Sequence, residues 1–155
     1  MAIKIKNQDD FIIHLAKTGS VGAANDVAGV TLPFAASLVA VFASTATAGS
    51  NGGSGTANVA IDINKNGTTI LSTNKLVFGY TSPSRTPSSY GDFATLTPVA
   101  FAKGDFVSFD IDTVFAGSSP APVQPTGLGI TLVFRRKGSL PGLTVTGSAI
   151  AEGSE

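Results

Sequence analysis

The segment Val59 to Leu71, V-A-I-D-I-N-K-N-G-T-T-I-L, constrains the fold more than any other. Apolar and polar residues alternate on either side of Lys65-Asn66-Gly67, and Asn-Gly readily adopts the positive φ angles of a tight turn. The segment is therefore expected to be a β-hairpin. Val59, Ile61 and Ile63 would lie on one face, and Asn58, Asp62 and Asn64 on the other. Two later runs share its texture: A-K-G-D-F-V-S-F-D-I-D-T-V from Ala102 to Val114, and G-L-G-I-T-L-V-F-R-R from Gly127 to Arg136. Alternation repeated in this way, with turn residues between the runs, indicates an all-β domain.

Other segments fit the same plan. Ala36 to Ala46 carries apolar residues at both parities, as expected of a strand covered on both faces. Thr31–Phe34 reads as a short strand or strand entry and Lys75–Phe78 as a strand, while Val99–Phe101 leads into Lys103-Gly104-Asp105, a turn. Gly49–Gly55 and the Pro-rich stretch Phe115–Thr126 read as loops. About eight short strands with turn signals and no helical periodicity predict a jelly-roll-like antiparallel β-sandwich. The expected organisation is an N-terminal arm over 1–22, the sandwich over 23–137 and a C-terminal extension over 138–155. Within the arm, Phe11, Ile12, Ile13 and Leu15 form an apolar patch that reads as a helix turn or a strand and is too short to be stable alone. It is expected to dock on the domain or on a neighbouring subunit.

Composition narrows the function classes. Ten basic and ten acidic residues balance, and charged residues make up 13% of the chain, about half the roughly 25% usual in soluble domains. That removes the electrostatic case for a nucleic-acid or acidic-membrane partner. The abundance of Gly, Ala, Ser and Thr suits surfaces covered by neighbours in an assembly, and equally a small β protein of low complexity. With no cysteine there is neither a disulfide nor a thiolate metal site. The N-terminus lacks a signal-peptide pattern. The apolar run Leu32–Ala48 is interrupted by Pro33, Ser37, Ser44, Thr45 and Thr47, and is too short to span a bilayer. The expectation is a soluble chain with no membrane partner.

Catalytic chemistry has little to work with. His14 is the single histidine and has no evident carboxylate partner; no nucleophile motif or phosphate loop is present. No catalytic residue, cofactor or metal site is expected. Asp110 and Asp112 share one face of a strand, and Asp62 would join them if its strand pairs nearby. Such a trio suits Ca²⁺ or, less well, the flanks of a glycosidic bond. The preferred reading is a polar strand surface, solvated or facing a subunit. Arg135, Arg136 and Lys137 end a strand; a solvated strand end is preferred over a salt bridge to a neighbouring subunit. Gly79–Pro98 is about 20 residues long with little pattern, a length usually reserved for contact loops or disorder. Within it Tyr80, Arg85 and Tyr90 belong to types enriched at interface hot spots.

Taken in order, P-F-A-A-S-L-V-A-V-F-A (Pro33–Ala43), a Gly/Ser loop, the hairpin, K-G-D-F-V-S-F-D-I-D-T-V and G-L-G-I-T-L-V-F-R-R resemble small β-sandwich domains of tailed-bacteriophage virion proteins. These are capsid decoration (cement) proteins, head fibres and tail-fibre tips. The resemblance covers residues 30–136, with D-I-N-K-N-G-T-T-I-L its most specific motif. It implies a non-enzymatic homotrimer on the outer capsid surface, made in the host cytoplasm, whose partner is the major capsid protein. Heptads and collagen-like repeats, the marks of a fibre stalk, are absent from the sequence, which favours decoration over a fibre tip. The arm residues Phe11, Ile12, Ile13 and Leu15 would then make capsid or inter-subunit contacts. The alternative is a receptor- or carbohydrate-binding module for a host-surface glycan, with Tyr80 and Tyr90 as its aromatic platforms.

Overall fold

The hairpin at Asn66-Gly67 seeds one of two facing sheets. The computed structural model describes residues 10–50, 55–56, 58–71, 75–79, 98–117 and 119–136. Among them lie nine strands and no helix: β1 (Asp10–Ser20), β2 (Ala24–Thr31), β3 (Ala36–Thr47), β4 (Asn58–Lys65), β5 (Thr68–Thr69), β6 (Leu76–Gly79), β7 (Val99–Phe101), β8 (Phe106–Thr113) and β9 (Thr126–Arg136). Lys65 pairs with Thr68 across the two-residue turn, where Asn66 and Gly67 have φ of 50° and 77°. Positive φ at both positions matches the twist of the strands that leave the turn.

The strands form an antiparallel β-sandwich. Sheet A runs β1-β9-β3-β7, and sheet B runs β2-β8-β4-β5 with β6 beside the start of β4. β5 and β6 flank the same side of β4 and act as one interrupted strand. The pairings β1–β9, β2–β8, β3–β7 and β4–β5/β6 are then nested from the chain ends inward. This is the winding of a jelly roll, in which each successive pair lies in the opposite sheet.

Inward residues of both sheets build one core. Leu38, Val41, Leu128, Ile130, Leu132 and Phe134 come from sheet A; Ile61, Ile63, Val107, Phe109 and Ile111 come from sheet B, all fully or almost fully buried. Each such side chain contributes about 1.5–3 kcal/mol through removal from water. Phe134 centres an aromatic group, stacked on Phe11 at 5.4 Å and edge-on to Phe101 at 5.4 Å.

The fold corrects several expectations. Residues 10–20, expected within the arm, are an edge strand in continuous register with β9 from Asp10↔Arg135 to Lys17↔Leu128. The domain therefore begins at or before Asp10, not at 23. Residues 24–31 form a strand that their Ala, Gly and Asp content conceals. Thr31–Phe34 is no separate strand: Thr31 ends β2, and Leu32 exchanges backbone hydrogen bonds with Gly104 and Asp105 in the β7–β8 turn. β3 is covered on one face only, because a bulge at Val39 switches its parity. Leu38 pairs with Phe134 and Ala40 with Val133, so that Val41 and Ala43 continue the inward row while Phe42 turns out.

Candidate functional site

The two outer faces of the sandwich differ in kind. On sheet B, Asp62 pairs directly with Asp110 across β4 and β8, so the condition for an Asp62–Asp110–Asp112 trio is met. The carboxylates nevertheless have partners. Lys75 Nζ donates to Asp62 Oδ2 at 2.9 Å and also to Asp112 Oδ2. Thr69 Oγ1 donates to Asp62 Oδ1 at 2.8 Å. Asn64 Nδ2 and the Asp26 backbone N–H each donate to Asp110 at 2.6 Å, and Ser108 Oγ donates to Asp26 Oδ1 at 2.8 Å. The hydrogen bond to Asp112, followed by that to Asp62, holds the Lys75 ammonium above its ordinary pKa.

This polar strand surface is solvated only in part, with Asp112 exposed and Asp110 half-buried. Asp62 is only 4% exposed, and Asn64 and Ser108 are also buried. Satisfied buried polar groups hold a sheet in register. No group of three or more His, Cys, Asp or Glu side chains with metal-holding geometry occurs among the described residues. The network stitches β2, β8, β4 and the start of β6 together.

The outer face of sheet A carries the opposite character. Its cross-strand rows run Ile12–Val133–Ala40, His14–Thr131–Phe42 and Ala16–Gly129–Ser44 across β1, β9 and β3. Ile12 is 59% exposed and Phe42 49%. Among the described residues the one charged pair on this face is Asp10 with Arg135, joined by two hydrogen bonds of 2.9 and 3.2 Å. That contact holds the Asp10 carboxyl below, and the Arg135 guanidinium above, their ordinary pKa values. In the middle row His14 Nδ1 lies 3.1 Å from Thr131 Oγ1. Among the described residues this face is low in charge and exposes two large apolar side chains, Ile12 and Phe42.

The residues expected to make external contacts divide accordingly. Phe11, Ile13 and Leu15 face the chain's own core, Phe11 also meeting Phe34 edge-on at 5.0 Å. Ile12 alone of the four points away. All four could serve a neighbouring molecule only if β1 left sheet A. Arg135 pairs within its own chain, where the sequence suggested solvent or a neighbour. Arg136 lies over the Phe34 ring, 4.7 Å from its centroid. Lys137, the loop residues Tyr80, Arg85 and Tyr90, and the extension 138–155 lie outside the described residues. Sequence reasoning missed Phe42, Val133 and Ala40 as surface residues, because only the Val39 bulge turns Phe42 outward beside Val133.

No protein-family model, no curated protein and no solved structure matches this chain.

Proposed function

We propose that this chain is a non-enzymatic structural protein of a bacteriophage virion, a decoration protein that binds the outer capsid surface as a homotrimer and stabilises the head. The observation that carries the reading is the contrast between its two outer faces. Sheet B spends its acidic side chains on one another's neighbours in a closed network. Among the described residues, sheet A exposes Ile12 and Phe42 beside His14, Thr131 and Ser44, with Asp10 and Arg135 paired to each other. A protein whose exposed surface is built for contact works by occupying a partner's surface and excluding water from it.

The fold adds support of a general kind. Double-sheet jelly rolls recur in capsid and lectin domains, and fold alone does not select between those roles. The charge-poor sequence and its likeness to phage virion sandwiches favour the capsid. The major capsid protein is the partner, and the outer surface of the head is the location.

The test is co-sedimentation of the full-length protein with expanded, DNA-free capsids of the phage whose genome carries the gene. Pelleting with capsids and no binding to host cells is the expected result. Binding to host cells or to a glycan array without binding to capsids would replace decoration by a receptor-binding role.

A further inference from the structure

We infer that Asn66 is a deamidation site held shut by a side-chain latch to Asp105 and Phe106: its amide is lost when the hairpin turn opens, and the product cannot remake the latch. The reaction consumes only water, and the site belongs to the chain itself, whatever partner the protein has.

The sequence supplies the reactants. Asn66 is followed by Gly67, which has no side chain to shield its backbone nitrogen from the Asn66 side-chain carbonyl carbon. Attack forms a bond from the Gly67 nitrogen to Cγ and breaks the Cγ–Nδ2 bond. The proton of the Gly67 N–H leaves with Nδ2 as ammonia, and a succinimide ring remains. Water then opens the ring at either carbonyl, leaving aspartate or isoaspartate at position 66. Asparagine is a thermolabile residue for this reason. Both residues are exposed at the tip of the β4–β5 hairpin, so water reaches them.

The fold holds the amide away from that reaction. The Asn66 backbone N–H donates to the Phe106 carbonyl at 2.9 Å, which carries the β4–β8 ladder one residue past Lys65↔Val107. In a regular antiparallel pair the Phe106 N–H would donate back to the Asn66 backbone carbonyl. Here it donates to Asn66 Oδ1 at 2.8 Å. Asn66 Nδ2 in turn donates to Asp105 Oδ1 at 2.9 Å, a hydrogen bond strengthened by the carboxylate's charge. The other carboxylate oxygen is anchored as well: Asp105 Oδ2 accepts from the Ala102 N–H at 2.7 Å and lies 3.1 Å from Lys65 Nζ. Both ends of the Asn66 amide are thus tied to the start of β8. Swinging Cγ onto the Gly67 nitrogen rotates the amide and breaks both hydrogen bonds.

The latch also distinguishes the amide from its product. A carboxylate only accepts and a backbone N–H only donates, so the Asn66 amide fits in one orientation. An aspartate at position 66 keeps an acceptor for the Phe106 N–H. It offers no donor to Asp105 and sets a second negative charge against it. Isoaspartate adds a main-chain carbon to a two-residue turn whose strands are in register at Lys65↔Thr68. Either product leaves the turn less firmly fastened, so the change runs one way and records the time the turn has spent open.

The experiment follows the mass change at Asn66 in the full-length protein by peptide mapping, which separates it from the sequence's other Asn-Gly pair, Asn51-Gly52. Samples at pH 8 are kept folded in buffer or unfolded in guanidinium chloride. Wild type is compared with Asp105→Ala and with Leu15→Ala, which weakens the core from the opposite sheet. Asn66 is expected to react at least tenfold more slowly in the folded than in the unfolded wild type. Asp105→Ala should raise the folded rate at least threefold and leave the unfolded rate unchanged, while Leu15→Ala stays within twofold of wild type in both. Thermal melts supply a second readout that does not need Asp105→Ala to fold. Asn66→Asp should melt below wild type, and Asn66→Asp/Asp105→Asn, which exchanges donor and acceptor, should regain most of the loss. Equal rates in folded and unfolded wild type would overturn the latch, and an Asn66 that stays intact in the unfolded chain would remove the site. Protection that survives in Asp105→Ala would place it in the turn's backbone and overturn the role of the side chains. Equal acceleration by Leu15→Ala and Asp105→Ala would make global unfolding the gate in place of the turn. An exchange variant no more stable than Asn66→Asp would refute the donor–acceptor pairing.

Discussion

Truncating Leu15 to alanine distinguishes a strand of the domain from an arm lying against it. Leu15 is 7% exposed and belongs to the core, at a position where β1 pairs Leu15 with Ile130. Leu→Ala changes in cores cost about 2–5 kcal/mol, the spread reflecting how far the site collapses around the cavity. β1 is an edge strand with room to relax, so about 2–3 kcal/mol is expected. With a urea slope of about 2 kcal/mol per molar, the unfolding midpoint falls by about 1–1.5 M. The internal reference is Ile12→Ala, three residues away on the same strand but on its outer side. It removes a mostly solvated side chain and should cost under ~1 kcal/mol, chiefly through lower β propensity. Urea unfolding followed by far-UV circular dichroism measures both. Equal shifts, or a Leu15→Ala shift below about 0.5 kcal/mol, would show that residues 10–20 do not pack in the domain.

Three further outcomes follow from the polar contacts and the turn. Lys75→Gln should lower stability at pH 7 by about 1–2 kcal/mol, because the half-exposed ammonium is the cation shared by buried Asp62 and by Asp112. The Lys75 pKa is raised in the fold, so its contribution is complete below the ordinary lysine range and fades only as pH climbs through the raised value; urea midpoints at pH 7, 9 and 11 should show the gap closing only at the last. Asp105 is lowered to about 2 by hydrogen bonds from Asn66 and from the Ala102 backbone N–H, with Lys65 beside it. A lowered carboxylate stabilises above its unfolded pKa, so wild type should outlast Asp105→Asn at pH 7, and the difference should vanish between pH 4 and 2; a constant difference over that range would refute the assignment. Gly67→Ala meets no atom within 4 Å, yet φ is +77°. The loss should therefore be purely conformational, about 1 kcal/mol, and a loss above ~2 kcal/mol in the same unfolding assay would point to a clash instead.

How far the fold could be read from sequence depended on regular alternation. Asn66-Gly67 with Ile61 and Ile63, Val107 with Phe109 and Ile111, and Leu128 through Phe134 kept a strict period of two, and their strands lie where the pattern put them. The period was hidden at three places. In β1 the consecutive Phe11-Ile12-Ile13 reads as a patch, although the strand sends Phe11 and Ile13 inward and Ile12 outward. In β3 the bulge at Val39 shifts the inward row by one residue, and the strand then appears apolar on both faces. In β2 small residues and a register break between Ala24 and Ala28 leave almost no signal. The site followed the same logic. The Asp62–Asp110 pairing was foreseeable from the strands, but the reach of Lys75 from the far side of the hairpin was not. The face of sheet A emerged only once β1 and β3 were seen to flank β9.

A density map of capsids decorated with the full-length protein tests the central claim most directly. A jelly roll on the outer surface is expected, with the exposed Ile12 and Phe42 of sheet A toward the shell and the Asp62–Lys75 network away from it. Capsids without added density, or a jelly roll seated through sheet B, would contradict it.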